Sequence, residues 1–202
     1  LLAVVQAVPA VAEEPDPPQC DLKHPDRVPC TELEQIVYMP AMMLRLPELA
    51  DLGDDSIRVT MSPSFAGVGQ LYQVSLDREG RGRLLAIWVR GHPYRGWVEI
   101  GREVFELTGR EYRRLAAEVD AALASPDSES DEICFDGPVM RTERRRDGHT
   151  MDFTGGVCFG YPSTRAFTVV STFACREIGR DAHLALIRSS CSSRLRLARR
   201  DR

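Results

Sequence analysis

Lysine is almost missing from this chain: 25 of its 26 basic residues are arginine, and Lys23 stands alone. A GC-rich coding sequence gives this bias by itself, so the arginines are no argument for nucleic acid, and no nucleic-acid partner is expected. The common catalytic signatures are also missing. There is no G-x-S-x-G elbow, no H-E-x-x-H pair, no P-loop and no G-x-G-x-x-G after a strand, which removes the best-marked hydrolase, zinc-protease and nucleotide-binding classes. No C-x-x-C occurs, so a thioredoxin-like redox role has no support. His24, His92, His149 and His183 are the only histidines, and none stands at metal-ligand spacing with another. No metal and no cofactor are expected. Apart from the first twelve residues no long apolar run occurs, and no transmembrane segment is expected.

Those twelve residues (LLAVVQAVPAVA) are uncharged, and the composition breaks at Glu13-Glu14-Pro15. Ala10-Val11-Ala12 is a signal-peptidase type of site, so residues 1–12 read as the residual part of a signal peptide and the mature chain as periplasmic or secreted. Residues 13–30 form a proline-rich linker in which Cys20 and Cys30 bracket a loop. Residues 31–193 read as a single α+β domain and 194–202 as a basic tail. Charge is unevenly placed: residues 13–56 carry 3 basic against 11 acidic side chains, and 139–202 carry 13 against 6. The preferred cause is internal, with the acidic segment lying over the basic one.

The fold is expected to be organised around one long helix at 107–124. Thr108 and Glu111 form a capping box, and Leu107 with Tyr112 occupies the staple positions beside it. Tyr112, Leu115, Ala116, Val119, Ala122 and Leu123 recur at helical spacing, while the arginines fall opposite. Ser125-Pro126 ends the run.

Ahead of that helix, the spacing predicts an antiparallel meander. Thr31 and Glu34 open a short helix, Met39, Met42, Met43, Leu44 and Leu46 are read as core filling, and Leu49 to Leu52 as one turn ended by Gly53. Strands begin near Ile57; Gln70 to Asp77 alternates, and Asp77 to Gly82 is a hairpin loop. Arg83 to Arg90 is apolar on both faces, as in a strand covered on each side. Trp97 to Ile100 and Val104 to Leu107 lead back to the helix.

After it, Ile133 to Phe135 reads as a short strand, and Asp147-Gly148 is the strongest hairpin signal. Pairing Arg146 with His149 sets Glu143 opposite Asp152, a like-charge pair that Arg141 and Arg145 are placed to relieve. Residues 163–178 carry both periodicities and are read as helix, with Asp181 to Ser190 as a last one.

Six cysteines in an exported chain are most economically three disulfides, and the preferred pairs are Cys20–Cys30, Cys134–Cys158 and Cys175–Cys191. The one binding loop singled out holds His92, Tyr94, Arg95 and Trp97, because aromatic rings and arginine are enriched at contact hot spots. The leading expectation is a non-enzymatic binding module (inhibitor, immunity or envelope accessory protein) whose partner is another envelope or secreted protein. The alternative is an exported hydrolase with dispersed residues, His149 or His92 acting as base near Asp152 or Glu143. A third reading has the arginine-rich C-terminal part gripping an anionic polymer or lipid surface.

Overall fold

The computed structural model describes residues 44, 46–63, 67–92, 96–125, 137–156, 161–178 and 191. The chain divides into two units, Leu1–Cys30 and Thr31–Arg202, and every described residue lies in the second. Expectations for the linker loop, the helix after Thr31, the 133–135 strand, the 181–190 helix and the tail fall outside these residues, as do Cys20, Cys30, Cys134 and Cys158.

Strands β1 (Ser56–Ser62), β2 (Gly67–Leu76), β3 (Gly82–His92) and β4 (Gly96–Leu107) follow one another as an antiparallel meander. Helix α1 (Gly109–Ala124) then carries the chain back across the sheet. Strands β5 (Val139–Arg146) and β6 (His149–Gly156) add a hairpin to the open side of β1, and α2 (Pro162–Ile178) follows. The strand order is β4-β3-β2-β1-β5-β6, so the first strand becomes an interior one. The class is α+β.

The long helix expected at 107–124 is α1, and the helix read at 163–178 packs beside it, so two helices cover the sheet. Tyr112, Leu115, Ala116 and Val119 of α1 share a cluster with Ala166, Phe167, Val170, Phe173 and Ala174 of α2. Both lie over Ile57, Val59, Tyr72, Val74, Leu84, Ala86 and Trp88. The reason is width. Six strands at the usual ~4.8 Å spacing span about 24 Å, whereas one helix with its side chains covers roughly 10–12 Å. Residues 162–178 are therefore helical, and the apolar stripe of Phe167, Val170, Phe173 and Ala174 decided against the β-branched residues beside it.

Local signals set the ends of these elements. The Thr108 hydroxyl accepts from the Glu111 N–H at 3.2 Å, and the Glu111 carboxylate accepts from the Thr108 N–H at 2.8 Å. Leu107 and Tyr112 are buried in the same cluster, as the staple requires. At the other end of α1, Arg165 of α2 donates to the carbonyls of Ala122 at 3.2 Å and Ser125 at 2.7 Å. A cation at this negative helix end satisfies groups that the helix cannot bond itself. Asp147 (φ 50°) and Gly148 (φ 80°) form the two-residue turn of the β5–β6 hairpin, in the left-handed region where aspartate and glycine strain least. Its register pairs Arg146 with His149 and Glu143 with Asp152, as the sequence implies.

Strand β3 is buried on both faces from Leu84 to Val89. Its odd residues, Leu85, Ile87 and Val89, meet Leu71 and Trp97 on the face away from the helices, with Leu44 and Leu46 packed against them. The two expected runs at 97–100 and 104–107 are one strand, with a register shift opposite Trp88 and Val89 that leaves Ile100 as an extra residue. That bulge re-aims everything before it. Phe105 and Ile100 reach the helix-side core, while Trp97 packs on the outer face.

Candidate functional site

Charged residues are concentrated on the β1–β5–β6 side of the sheet, and the antiparallel register sorts them onto two faces. On the helix side, Arg144 is 1% exposed. Its guanidinium donates to Asp120 of α1 through Nε at 2.7 Å and Nη2 at 3.2 Å, and through Nη1 to Asp55. Nη1 also donates to the Ser56 carbonyl at 3.3 Å. The Tyr112 hydroxyl donates to Asp55 at 2.8 Å, closing the cluster. Burial disfavours the charged arginine, but the two carboxylates outweigh it and hold Arg144 above its ordinary value. Burial, with Asp55 beside it, pushes the Tyr112 phenol up. Five polar groups from β1, β5, α1 and the segment before β1 are thus fixed to one another. This cluster clamps α1 to the sheet.

On the opposite, outer face a row runs across four strands in register: Gln73, Arg58, Glu143 and Asp152. Arg58 donates to Gln73 Oε1 through Nε at 3.2 Å and Nη2 at 2.9 Å, and its Nη1 lies 3.6 Å from Glu143. Arg141, one step along β5, donates to both oxygens of Asp152 at 3.0 Å and stands 3.4 Å from Glu143. The like-charge pair read from the hairpin is therefore relieved by Arg141, as expected, and by Arg58 of the neighbouring strand. Arg145 acts elsewhere, donating to the Gly53 carbonyl at 3.1 Å and to Thr150 at 3.3 Å. Glu143 is only 8% exposed. Burial pushes its carboxyl above the usual range against the pull of Arg141 and Arg58. Burial likewise lowers Arg58.

The chain before β1 is tied to this row. Arg58 Nη2 donates to the Pro47 carbonyl, and the Ser56 hydroxyl to the Leu49 carbonyl at 3.4 Å. Leu49 to Leu52 is a single 3-10 turn with Leu49 buried, and Gly53 at φ 115° lets the strap bend into β1. Three arginines of β1 and β5 thus hold it: Arg58 at Pro47, Arg145 at Gly53 and Arg144 at Asp55. Much of the positive charge in 139–146 is spent inside the fold on the segment before β1 and on Asp120 and Asp152.

The two sheet edges differ. Strand β4 has a bulge and four charges (Glu99, Arg102, Glu103, Glu106), with Arg102 donating to Glu99 at 2.8 Å; its exposed Val98 and Val104 fall on opposite faces. Strand β6 is regular for eight residues, and among the described strands it pairs with β5 alone. Its single acidic residue, Asp152, is held by Arg141. Met151 is 44% exposed, Phe153 follows on the same face, and Tyr161 packs against Gly155, where an added Cβ would lie 2.9 Å from its ring.

The residues singled out from the sequence fall only partly within the described ones. His92 ends β3, paired with Gly96. Tyr94 and Arg95 lie outside the described residues. Trp97 is 5% exposed and packed among Leu71, Leu85, Ile87 and Val89. His149 is three residues from Asp152 along β6, so alternation puts it on the helix-side face and the carboxylates of Glu143 and Asp152 on the outer one. Cys175 and Cys191 form a disulfide, the one expected pair within the described residues. What sequence reasoning missed is Arg58: its place beside Glu143 depends on β1 pairing with β5, and no local signal announces that.

Among the described residues no group of three or more His, Cys, Asp or Glu side chains is placed to hold a metal ion, and no helix is long and apolar enough to cross a membrane. Comparison of the chain with protein-family models, curated proteins and solved structures gives no match.

Proposed function

We propose that the chain is an exported, non-enzymatic binding module that takes an extended segment of another envelope or secreted protein along the edge of β6. The observation that carries this reading is the contrast between the two edges. Exposed edges invite strand addition, and proteins blunt them with charges and bulges. Strand β4 has both devices. Strand β6 has no bulge and a single carboxylate, Asp152, which Arg141 holds, and it offers an apolar line of Met151, Phe153 and Tyr161 beside its backbone. In strand addition, main-chain bonds give affinity and alternate side chains give selectivity, so the partner segment is expected to be extended and apolar at every second residue. The Cys175–Cys191 disulfide is consistent with an oxidising compartment. The loop of His92, Tyr94 and Arg95 is retained as a second contact area, because the buried Trp97 gives that hairpin a firm base.

Alternation of bonded and non-bonded pairs from the Arg146–His149 closure directs the backbone N–H of Thr154 away from β5. Thr154→Pro therefore removes a donor from the outer edge without breaking the β5–β6 ladder. The test is crosslinking and pull-down from envelope extract with the oxidised protein, wild type against T154P, both checked by circular dichroism. One partner retained by wild type and lost by folded T154P supports the reading. Equal capture by both removes the edge, and clean turnover of a hydrolase substrate panel overturns the non-enzymatic assignment.

A further inference from the structure

We propose that Glu143, Arg58 and Arg141 form an acid-sensitive latch that holds the 46–55 strap on the outer face of the sheet and lets go when Glu143 takes up a proton. The geometry carries this in three steps. First, Glu143 stands between the two guanidiniums, at 3.6 Å from Arg58 and 3.4 Å from Arg141. Second, Arg58 is itself one of the strap's three arginine anchors, and the one at its start, since the same guanidinium that faces Glu143 donates to the Pro47 carbonyl. Third, Arg58 is buried and cannot find water without moving. Neutralising Glu143 therefore leaves two cations on neighbouring strands with the charge between them gone. Removing one member of a buried ion pair leaves the other uncompensated, and such a charge is relieved by exposure. For Arg58 the way out is with the strap.

Every charged group facing Glu143 among the described residues enters this balance. Arg58 on β1 and Arg141 on β5 favour its ionised form. Asp152 on β6 and Glu48 on the strap favour its protonated form, as does burial, the largest influence. Arg141 has Asp152 as a second partner on β6 and stays in place; the remaining partners of Arg58 are the neutral Gln73 and, on the strap itself, the Pro47 carbonyl and the charge of Glu48, so Arg58 moves with the strap. The sign follows from the direction of the shift. A carboxyl raised above its ordinary value takes its proton while other carboxylates are still ionised, so the strap opens within the folded protein before general acid unfolding begins.

The test is hydrogen exchange by mass spectrometry on the full oxidised chain, from roughly pH 7.5 to 4.5, an interval that ends just above the ordinary glutamate value. Rates are corrected for intrinsic exchange. In wild type, amides of residues 46–55 are expected to lose about tenfold or more of their protection across this interval, while those of β2 and β3 keep theirs. Glu143→Gln is expected to show weak strap protection at every pH. Asp152→Asn removes an acidic neighbour from a half-exposed site and is expected to move the wild-type transition to lower pH. A strap whose protection is constant with pH overturns the latch, as does an E143Q protein that keeps the wild-type transition. If E143Q does not fold, the D152N profile decides: a transition that stays put or moves upward refutes the assignment to Glu143.

Discussion

Replacing Arg144 by alanine tests the clamp between α1 and the sheet. The substitution leaves Asp55 and Asp120 without their shared cation and the Ser56 carbonyl without a donor. Breaking a buried ion pair by removing one partner costs roughly 3–5 kcal/mol. The aspartates are partly open to water, with side chains 38% and 28% exposed, so part of that cost is returned by hydration. An expected loss of about 3 kcal/mol allows for this and for the lost packing of the arginine stem. For a domain of this size that is a fall in Tm of roughly 6–12 °C. The assay is urea unfolding at neutral pH with the disulfide intact, monitored by circular dichroism and by tryptophan fluorescence, with the slope against urea held equal to wild type. A cycle with Asp120→Ala separates the pair from general packing, and a coupling of about 1–2 kcal/mol is expected between the two substitutions. A loss below about 1 kcal/mol for R144A, or strict additivity with D120A, would refute the clamp.

Trp97→Ala is expected to cost about 3–5 kcal/mol in the same assay, because the indole fills the outer cluster. A loss below about 1 kcal/mol would return Trp97 to the surface loop. Thr108→Ala removes the cap of α1 and should cost about 1 kcal/mol at neutral pH. The Thr108 hydroxyl, then its N–H, holds Glu111 below the usual carboxylate range. That contribution is complete above the ordinary carboxylate value and fades as pH falls through the lowered one. The wild-type and T108A stabilities should therefore draw closer in acid, leaving the share of the Glu111 N–H bond to the Thr108 hydroxyl, which does not titrate; a difference that does not shrink counts against the carboxylate half of the capping box.

Several elements were legible because their causes lie within a few residues. The α1 start is written in Thr108, Glu111 and the Leu107–Tyr112 staple, and the β5–β6 register in Asp147-Gly148. The double-sided cover of β3 is written in an apolar run without alternation. Residues 162–178 were ambiguous, since β-branched residues and a helical stripe share the segment; burial of Phe167, Val170 and Phe173 under one sheet resolves it. Candidate site residues fared differently. Glu143 opposite Asp152 followed from the turn, but nothing local marks Arg58 as the neighbour of Glu143.

By itself, the sequence determined where this chain turns, caps and alternates, because hydrogen bonds between near neighbours and the periods of helix and strand act over short spans. Tertiary structure alone decided that β5 joins β1 and that a second helix is needed to cover six strands. It also decided that a one-residue bulge in β4 sends Trp97 to the outer face. The first two depend on surfaces that lie far apart along the chain, and all three are settled by the width, register and burial of the whole sheet.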